Sequence, residues 1–277
     1  MVNLLYCGNE KVFDGILTSL LSVVKRDPSR DSFHVYVFTM DLTRLNPAYT
    51  CISDRLISFL DGVMKSYNPE SKVEKVDVTE LYESTMGHSP NEGAYCSPYT
   101  LIRLLADLVP NMPDRLLYLD TDIMFNRDIH LLYEQPFNGA EFAAANDHYG
   151  KYLINPRYIN AGVLLFDMAK CRETGLFAKS RDWINKKKLV FADQSALQRA
   201  CTKKRVLSQK FNDQKFLHKN TVVRHFSKRL FWLPYPHTDN IKQYHVEKVH
   251  KVFRYHQFDD ILEEYLRLKA IYEEGGR

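Results

Sequence analysis

Short apolar runs alternate with amphipathic helical patterns over the first 170 residues, and this alternation constrains the fold more than any other feature. The runs predict strands at residues 2–7, 33–39, 72–78, 115–119, 142–145 and 162–166. Apolar positions at helical spacing predict helices over residues 13–24, from Asn46 onward and over residues 98–108. Strand, helix and strand in turn build a largely parallel sheet that is covered on both faces. We therefore expect an α/β protein whose ligands bind beyond the carboxyl ends of the strands.

The chain changes character after residue 167, where helical and basic stretches replace the strands. No clear linker separates these stretches from the sheet-forming part. We predict a main domain over residues 1–235 and a helical C-terminal extension, residues 236–277, packed on it. The tail of this extension, residues 259–274, is predicted to be an amphipathic helix. Its apolar positions are Ile261, Leu262, Tyr265, Leu268 and Tyr272.

Composition excludes several classes of protein. With 45% hydrophobic and 13% aromatic residues, the chain is too apolar for a disordered protein. No apolar run reaches the roughly 18 to 20 residues of a membrane-spanning helix, and the N-terminus lacks the basic region of a signal peptide. The cysteines are scattered without a Cys-x-x-Cys pair, as in proteins of a reducing compartment. We expect a cytoplasmic protein.

The net charge of +4 hides a basic segment, residues 181–229, in which 14 Lys or Arg stand against three Asp. Such a segment can contact a phosphate-bearing substrate or an anionic membrane surface, or can be a solvated helix face. Its lysines do not form a recognition motif for nucleic acid, so we expect no nucleic-acid partner. The segment and the amphipathic tail together make peripheral contact with the inner face of a membrane a further expectation.

The most informative short motif is Asp120-Thr121-Asp122, which directly follows the apolar run at residues 115–119. Residues two apart on an extended backbone face the same way, so the two carboxylates can converge on one divalent cation. Oxygen ligands suit Mg²⁺ or Mn²⁺, which in turn bind diphosphate oxygens. The alternative is a surface turn with two solvated acids, and the position at the end of a buried strand favours the metal site.

Further motifs surround this one in a fixed order. They are the loop Leu4-Leu5-Tyr6-Cys7-Gly8-Asn9-Glu10, the Arg103-containing Ser97-Pro98-Tyr99-Thr100-Leu101-Ile102-Arg103-Leu104, Ala143-Ala144-Ala145-Asn146-Asp147, Asn160-Ala161-Gly162-Val163-Leu164-Leu165-Phe166-Asp167, Asp193-Gln194 and His225-Phe226. Together with the Asp-x-Asp they resemble glycosyltransferase family 8 over about residues 1–235. The family consists of retaining nucleotide-sugar transferases with a GT-A, Rossmann-like fold, and the resemblance implies that fold here.

The resemblance also implies roles for individual residues. Asp120, Asp122 and His225 would bind Mn²⁺, with Mg²⁺ as an alternative, and the metal would hold the diphosphate of a UDP-sugar. The residues that resemble donor-binding groups are Cys7, Asn9, Ser97, Asp120, Thr121, Asp122, Asp147, Asn160, Ala161 and Lys242. Those that resemble catalytic groups are Arg103, Asp193 and Gln194. A cation at this place would stabilise the negative charge that a departing nucleotide leaves on its phosphate.

The route to retention stays open at this point. Gln194 resembles the residue that faces the reacting anomeric carbon. A neutral amide is a poor nucleophile, so front-side attack by the acceptor hydroxyl is at least as plausible as a covalent intermediate.

Two departures from the family pattern concern the nucleotide. The family commonly has Tyr, which stacks on uracil, where this chain has Val12, and the neighbouring Phe13 is the candidate replacement. The family's closing motif runs from His through Gly to Lys-Pro-Trp, whereas His225 is followed by neither Gly nor Lys-Pro. Lys228 and Lys242 are the candidates for the phosphate-binding lysine, and we favour Lys242 because the stretch from Lys242 to Tyr244 resembles Lys-Pro-Trp.

We expect transfer of a hexose from UDP-glucose or UDP-galactose to a saccharide or lipid-linked saccharide acceptor, in the synthesis of a cell-envelope glycan. One alternative is a degenerate transferase that binds nucleotide-sugars without turnover. An Asp-x-Asp phosphatase is disfavoured because Met124 stands where that class has Thr or Val. A nucleotidyltransferase is disfavoured because the loop after the first strand is not glycine-rich. The hexose, the acceptor and the oligomeric state stay open.

Overall fold

The computed structural model describes residues 1–93, 97–231 and 235–275. The strands are β1 (Val2–Cys7), β2 (Phe33–Thr39), β3 (Lys72–Asp77), β4 (Arg115–Leu119), β5 (Ile123–Phe125), β6 (Phe142–Ala145), β7 (Val163–Asp167), β8 (Lys204–Leu207), β9 (Val223–His225), β10 (Arg229–Phe231) and β11 (His237–Asp239). The α-helices are α1 (Phe13–Arg26), α2 (Asp54–Tyr67), α3 (Thr79–Thr85), α4 (His130–Tyr133), α5 (Gly150–Leu153), α6 (Met168–Thr174), α7 (Leu176–Lys186), α8 (Ala192–Ala200), α9 (Val246–Lys248) and α10 (Asp259–Glu274). Short 3₁₀ turns lie at Glu10–Val12, Pro98–Thr100, Ile102–Leu105 and Gln209–Phe211, and a π-turn lies at Val249–Phe253.

Seven of the described strands form one sheet in the order β3-β2-β1-β4-β7-β6-β8. Strand β7 runs antiparallel to both of its neighbours, and the other pairs are parallel. The prediction of an α/β protein with a largely parallel sheet is therefore confirmed. The carboxyl ends of β1, β4 and β6 lie at the same edge, where ligands bind in such sheets.

Two apolar cores cover the two faces of the sheet. On β1 the side chains alternate between them: Leu4 and Tyr6 belong to the core that contains α1, α2 and α10, whereas Leu5 and Cys7 belong to the core that contains α7 and α8. Because both faces of the central strands are buried, polar groups that follow these strands emerge only at the edges.

The helix that was expected to begin at Asn46 begins later, at Asp54. The side-chain oxygen of Asn46 accepts a hydrogen bond from the backbone N–H of Ala48, which holds a turn there. The true N-cap is Ser53, whose Oγ accepts from the N–H of Leu56. The predicted start of this helix was therefore about two helical turns too early, because the capping hydroxyl of Ser53 determines where the helix begins.

Residues 98–108, which were predicted to be helical, form short 3₁₀ turns instead. The Nε of Arg103 donates to the carbonyl of Thr100, 2.9 Å away, while the N–H of Leu104 bonds to the carbonyl of Leu101. In an α-helix the Thr100 carbonyl would accept the N–H of Leu104 instead. The buried guanidinium thus occupies an acceptor that a regular helix would use.

The predicted tail helix is confirmed as α10, and it packs on α1. The ring of Tyr272 stacks on that of Phe13 with centroids 4.4 Å apart, and Tyr265 donates to Asp14 at 2.9 Å. Ile261 and Leu262 are buried in the same contact. The apolar face of the tail is therefore used in packing the fold.

None of the helices within the described ranges combines the length and apolar composition that crossing a bilayer requires. Of the cysteines in these ranges, Cys7, Cys51, Cys171 and Cys201 are free thiols. Cys96 lies outside the described residues.

Candidate active site

Strand pairing brings a distant histidine to the Asp-x-Asp motif. Asp120 directly follows β4, and its N–H donates to the carbonyl of Gly162 at 2.8 Å. The chain then enters β5, which pairs with β9 so that Ile123 stands opposite His225. The N–H of Phe226 donates to the carbonyl of Asp122 at 2.7 Å and extends this pairing. His225 is thereby held beside both aspartates.

The side-chain ligand atoms of Asp120, Asp122 and His225 lie within 4.8 Å of one another. The Nε2 of His225 is 3.0 Å from an oxygen of Asp122 and 3.8 Å from an oxygen of Asp120. Burial opposes ionisation of Asp122, but His225 and Lys242 outweigh it and hold the pKa of Asp122 well below its usual value. Two carboxylates and an imidazole form a donor set that fits Mn²⁺ or Mg²⁺.

The imidazole of His225 is oriented by a residue that the sequence analysis missed, Asn212. The Nδ1 of His225 is 3.0 Å from the side-chain oxygen of Asn212, whose amide nitrogen donates to Asn160. The amide oxygen of Asn212 is thus the acceptor, so Nδ1 carries a proton and Nε2 is the ring nitrogen that faces the aspartates. Asn212 follows a 3₁₀ turn far from the Asp-x-Asp in sequence, and no local pattern marks it.

Gly162 is at a place where no side chain fits. A Cβ added there would lie 2.3 Å from a ring carbon of His225 and 2.8 Å from a carboxylate oxygen of Asp120. The backbone between β6 and β7 therefore passes directly against two of the three candidate metal ligands.

Arg103 is buried behind the aspartates. Its Nη2 is 3.3 Å from Asp120 and its Nε is 3.2 Å from Asp193, and its Nη1 donates to the carbonyl of Ala161 at 2.6 Å. The guanidinium also lies over the ring of Tyr118, 3.8 Å from the centroid. Burial opposes its charge, but Asp193 and Asp120 outweigh burial and raise the pKa of Arg103. Arg103 therefore remains charged and positions the two carboxylates.

Tyr118 is a second residue that the sequence analysis missed. Its hydroxyl donates to Asp120 at 2.6 Å. Tyr118 is two residues before Asp120, so both side chains project to the same side of the strand. The alternation of side-chain direction along β4 could therefore have identified Tyr118 from the sequence.

The remaining polar residues form one connected cluster beside the aspartates. Asn160 donates to Asp147 at 2.9 Å, and the side-chain oxygen of Gln194 accepts from the N–H of Ala161 at 2.9 Å. Burial raises the pKa of Asp193, although Arg103 opposes this. Asp193 and Gln194 stand in the first turn of α8, at the sheet edge where β1 and β4 end.

A pocket of about 240 Å³ opens in front of the aspartates. It is lined by Cys7, Gly8, Asn9, Val12, Ser97, Tyr99, Thr100, Tyr118, Asp120, Thr121, Asp122, Lys242 and Tyr244. Seven of the predicted donor-binding residues are in this set. The others, Asp147, Asn160 and Ala161, belong to the neighbouring polar cluster.

Phe13 does not line this pocket, because its ring is stacked on Tyr272. The expectation that Phe13 replaces the missing tyrosine was therefore wrong: helix α1 directs this side chain into the core. Tyr99, Tyr118 and Tyr244 are the aromatic residues that line the pocket, together with Val12. Asn9 is buried, and its amide donates to the carbonyl of Ala48 at 3.1 Å, which holds the loop after β1 in place.

Lys242 reaches the site from the C-terminal segment. Its ammonium group is 2.5 Å from a carboxylate oxygen of Asp122, and this contact raises the pKa of Lys242 against the effect of burial. The next residue, Gln243, is fully buried and donates to the carbonyl of Thr121 and the hydroxyl of Thr18. Lys228 is exposed and is not among the described residues that line the pocket. Trp232, which follows it, lies outside the described residues.

The model of the family described as "Glycosyl transferase family 8" matches residues 3–229. The chain belongs to glycosyltransferase family 8. This family 8 chain is similar to a Haemophilus influenzae protein that is named as a glycosyltransferase. The two are 24% identical over 225 residues, which cover 76% of this chain and 63% of that protein. The match thus spans less than two thirds of that relative.

Solved structures show the same fold. The galactosyltransferase LgtC, in complex with donor and acceptor sugar analogues, superposes with a TM-score of 0.68 at 16% identity, over 95% of this chain and 96% of LgtC. The bifunctional glycosyltransferase WbbM gives a TM-score of 0.64 at 15% identity, over 83% of this chain and 46% of WbbM. GlyE of Streptococcus pneumoniae gives 0.64 at 16% identity, over 96% of this chain and 64% of GlyE. This family 8 chain therefore has the GT-A fold that the resemblance implied.

Proposed function

We propose that this family 8 protein is a metal-dependent retaining hexosyltransferase that uses UDP-glucose or UDP-galactose and glycosylates a saccharide or lipid-linked saccharide of the cell envelope. The observation that carries the proposal is the convergence of Asp120, Asp122, His225 and Lys242 at the carboxyl edge of the sheet. The complex of LgtC with donor and acceptor sugar analogues supports it. Residues 1–235 would form the catalytic domain, and residues 236–277 would be an extension that supplies Lys242.

The chemistry requires stabilisation of the leaving UDP. Mn²⁺, or Mg²⁺ in its place, would supply positive charge at Asp120, Asp122 and His225 without a proton transfer. Lys242 would add a second positive charge for the diphosphate. Asp147, Asn160 and Asp193 would accept or donate hydrogen bonds to hydroxyls of the donor sugar.

Gln194 bears on how the anomeric configuration is retained. Its side-chain oxygen accepts the N–H of Ala161, and this bond withdraws electron density from an amide that is already a weak nucleophile. We therefore favour front-side attack by the acceptor hydroxyl, with Gln194 positioning the polar cluster around the anomeric carbon.

The proposed activity is tested by incubating the protein with UDP-glucose or UDP-galactose and Mn²⁺ and measuring UDP. Release of UDP that stops on chelation and returns with Mn²⁺ supports the transferase. Saturable binding of a UDP-sugar without release would support a degenerate binding protein instead. Release of phosphate from phosphoesters, without activity on UDP-sugars, would support a phosphatase.

Asn212→Ala is expected to weaken Mn²⁺ binding about 10- to 100-fold, since the orienting partner of His225 is lost. Titration of Mn²⁺ by electron paramagnetic resonance measures the affinity. Asn91→Ala is the matched control, because Asn91 is also a buried, hydrogen-bonded asparagine, but its amide donates to the backbone carbonyls of Ile184 and Lys187. Equal loss of Mn²⁺ affinity in both variants would contradict a specific role for Asn212.

Lys242→Ala is expected to lower the rate of UDP release about 100-fold, since a charge-assisted contact to the diphosphate is lost. Lys228→Ala, which changes an exposed lysine away from the pocket lining, should stay within about twofold of the unaltered protein. Steady-state rates for the two variants compare the candidates directly. A larger loss in Lys228→Ala would assign the phosphate contact to that residue.

We further propose that the protein works in the cytoplasm, peripheral to the inner face of the membrane, on an acceptor held there. The combination of a basic segment with a saccharide-transfer site supports this location. Nucleic acid is not a proposed partner, since the lysines do not form a recognition motif.

A further inference from the structure

A second groove has a volume of about 640 Å³. One side is formed by α5 and the residues that follow it, and the other side by the loop before α8. Its apolar walls come from Leu153, Ile154, Leu189, Val190 and Phe191. Leu153 is 81% exposed and Val190 is 79% exposed. Large aliphatic side chains at this level of exposure do not contribute to the core, and grouped together they mark an interaction surface.

The groove lies next to the polar cluster of the candidate active site. The side-chain oxygen of Gln198 accepts from the N–H of Ile159, one turn of α8 after Gln194 accepts from the N–H of Ala161. The hydroxyl of Tyr158 bonds to that of Ser195 in the same wall, at 2.9 Å. The groove and the proposed transfer site therefore adjoin each other along α8 and residues 158–161.

Lysine side chains lie around the exposed apolar side chains of this groove. Lys186, Lys187 and Lys188 form a run of exposed lysines at the end of α7, and Lys151 stands beside Tyr152 on α5. Lys187 lies over the ring of Trp183, 5.2 Å from the centroid, and Lys151 lies over that of Tyr152 at 5.0 Å. Both ammonium groups thus lie within cation–π reach of an aromatic ring.

We propose that this surface docks onto an anionic lipid bilayer. The exposed tips at residues 152–154 and at Val190 and Phe191 would enter the interface, and the lysines would contact anionic headgroups. The adjoining transfer site would then lie close to the membrane, so the acceptor would be a saccharide carried on a membrane lipid. The identity of the acceptor rests on the proposed transferase function, whereas docking onto the bilayer does not depend on that function.

Two other occupants fit the surface less well. A second copy of this chain, paired about a two-fold axis, would bring the same lysine run against itself, and like charges oppose such an interface. The C-terminal helix does not compete as the membrane contact, because Ile261, Leu262 and Tyr265 of α10 are buried against the domain.

Sedimentation of the full chain with vesicles tests the docking. Binding is expected to vesicles of phosphatidylcholine with phosphatidylglycerol and to be much weaker to phosphatidylcholine alone. The double variant Leu153→Glu with Val190→Glu should bind at least about tenfold more weakly, since two inserting side chains become anionic. Leu266→Glu with Ile271→Glu is the matched control, because these exposed residues of α10 lie outside the surface.

UDP release from a UDP-sugar in the absence of vesicles separates the docking from the enzymatic proposal. The Leu153→Glu, Val190→Glu variant should keep this rate, because neither residue lines the donor pocket. The docking surface would be overturned if the protein bound both vesicle types equally or if the two double variants bound vesicles equally. It would also be overturned if Leu153→Glu with Val190→Glu abolished self-association of the protein and left vesicle binding unchanged. Vesicle binding that responds as expected, without UDP release by any variant, would overturn only the transferase function.

Discussion

Asp122→Asn is expected to lower Mn²⁺-dependent UDP release by about a thousandfold. The substitution removes one carboxylate from the proposed three-residue metal site and leaves His225 and Lys242 facing a neutral amide. In the proposed mechanism, loss of the metal would remove the charge that stabilises the leaving diphosphate, so the effect should fall on kcat more than on KM. Single-turnover rates at saturating Mn²⁺ measure it.

Asp182→Asn is the control for Asp122→Asn, because Asp182 is exposed on α7 and its substitution should change the rate by less than about twofold. Thermal unfolding checks that the Asp122 variant remains folded. If Asp122→Asn releases UDP at the rate of the unaltered protein, the aspartate pair is not the metal site and the proposed mechanism is wrong.

Gly162→Ala is expected to remove Mn²⁺ binding and to lower UDP release by at least about a hundredfold. The added methyl group would stand 2.3 Å from the ring of His225 and 2.8 Å from a carboxylate oxygen of Asp120, so one or both ligands must move. Misplacing a reacting group by about 1 Å can cost about a hundredfold in rate. The overpacking should also destabilise the fold by about 1–3 kcal/mol.

Gly62→Ala is the matched control for Gly162→Ala. Gly62 lies within α2, and nothing comes within 4 Å of a Cβ placed there. Alanine in a helix is favoured over glycine by about 1 kcal/mol, so this variant should be equally or more stable with unchanged Mn²⁺ binding. Unchanged metal affinity in Gly162→Ala would show that the close approach at Gly162 is not required for the site.

The fold was largely predictable because its signals are local. The short apolar runs of the strands and the period near 3.6 in α1 and α10 are patterns that span only a few neighbouring residues. The start of α2 was not predictable from Pro47, because the hydroxyl of Ser53 provides the cap. The helix expected at residues 98–108 was also wrong, because the buried side chain of Arg103 takes the carbonyl of Thr100.

The candidate site was only partly predictable. The Asp-x-Asp pair is adjacent in sequence and directly follows a buried strand, so Asp120 and Asp122 carried their own signal. Asn212 carried none, since its role exists only through its contact with His225. The position of Phe13 next to Val12 was misleading, because neighbouring residues of a helix point to different sides of it.

By itself the sequence determined that buried strands alternate with helices and that two carboxylates emerge where the fourth of these strands ends. Only the tertiary structure brought His225 and Lys242, which the resemblance had named, beside this pair and added Asn212 to them. His225 arrives through the pairing of β5 with β9, and Lys242 arrives because the buried Gln243 holds the C-terminal segment against Thr121. These contacts join residues that are distant in the chain, and their energy is gained only when the whole domain packs.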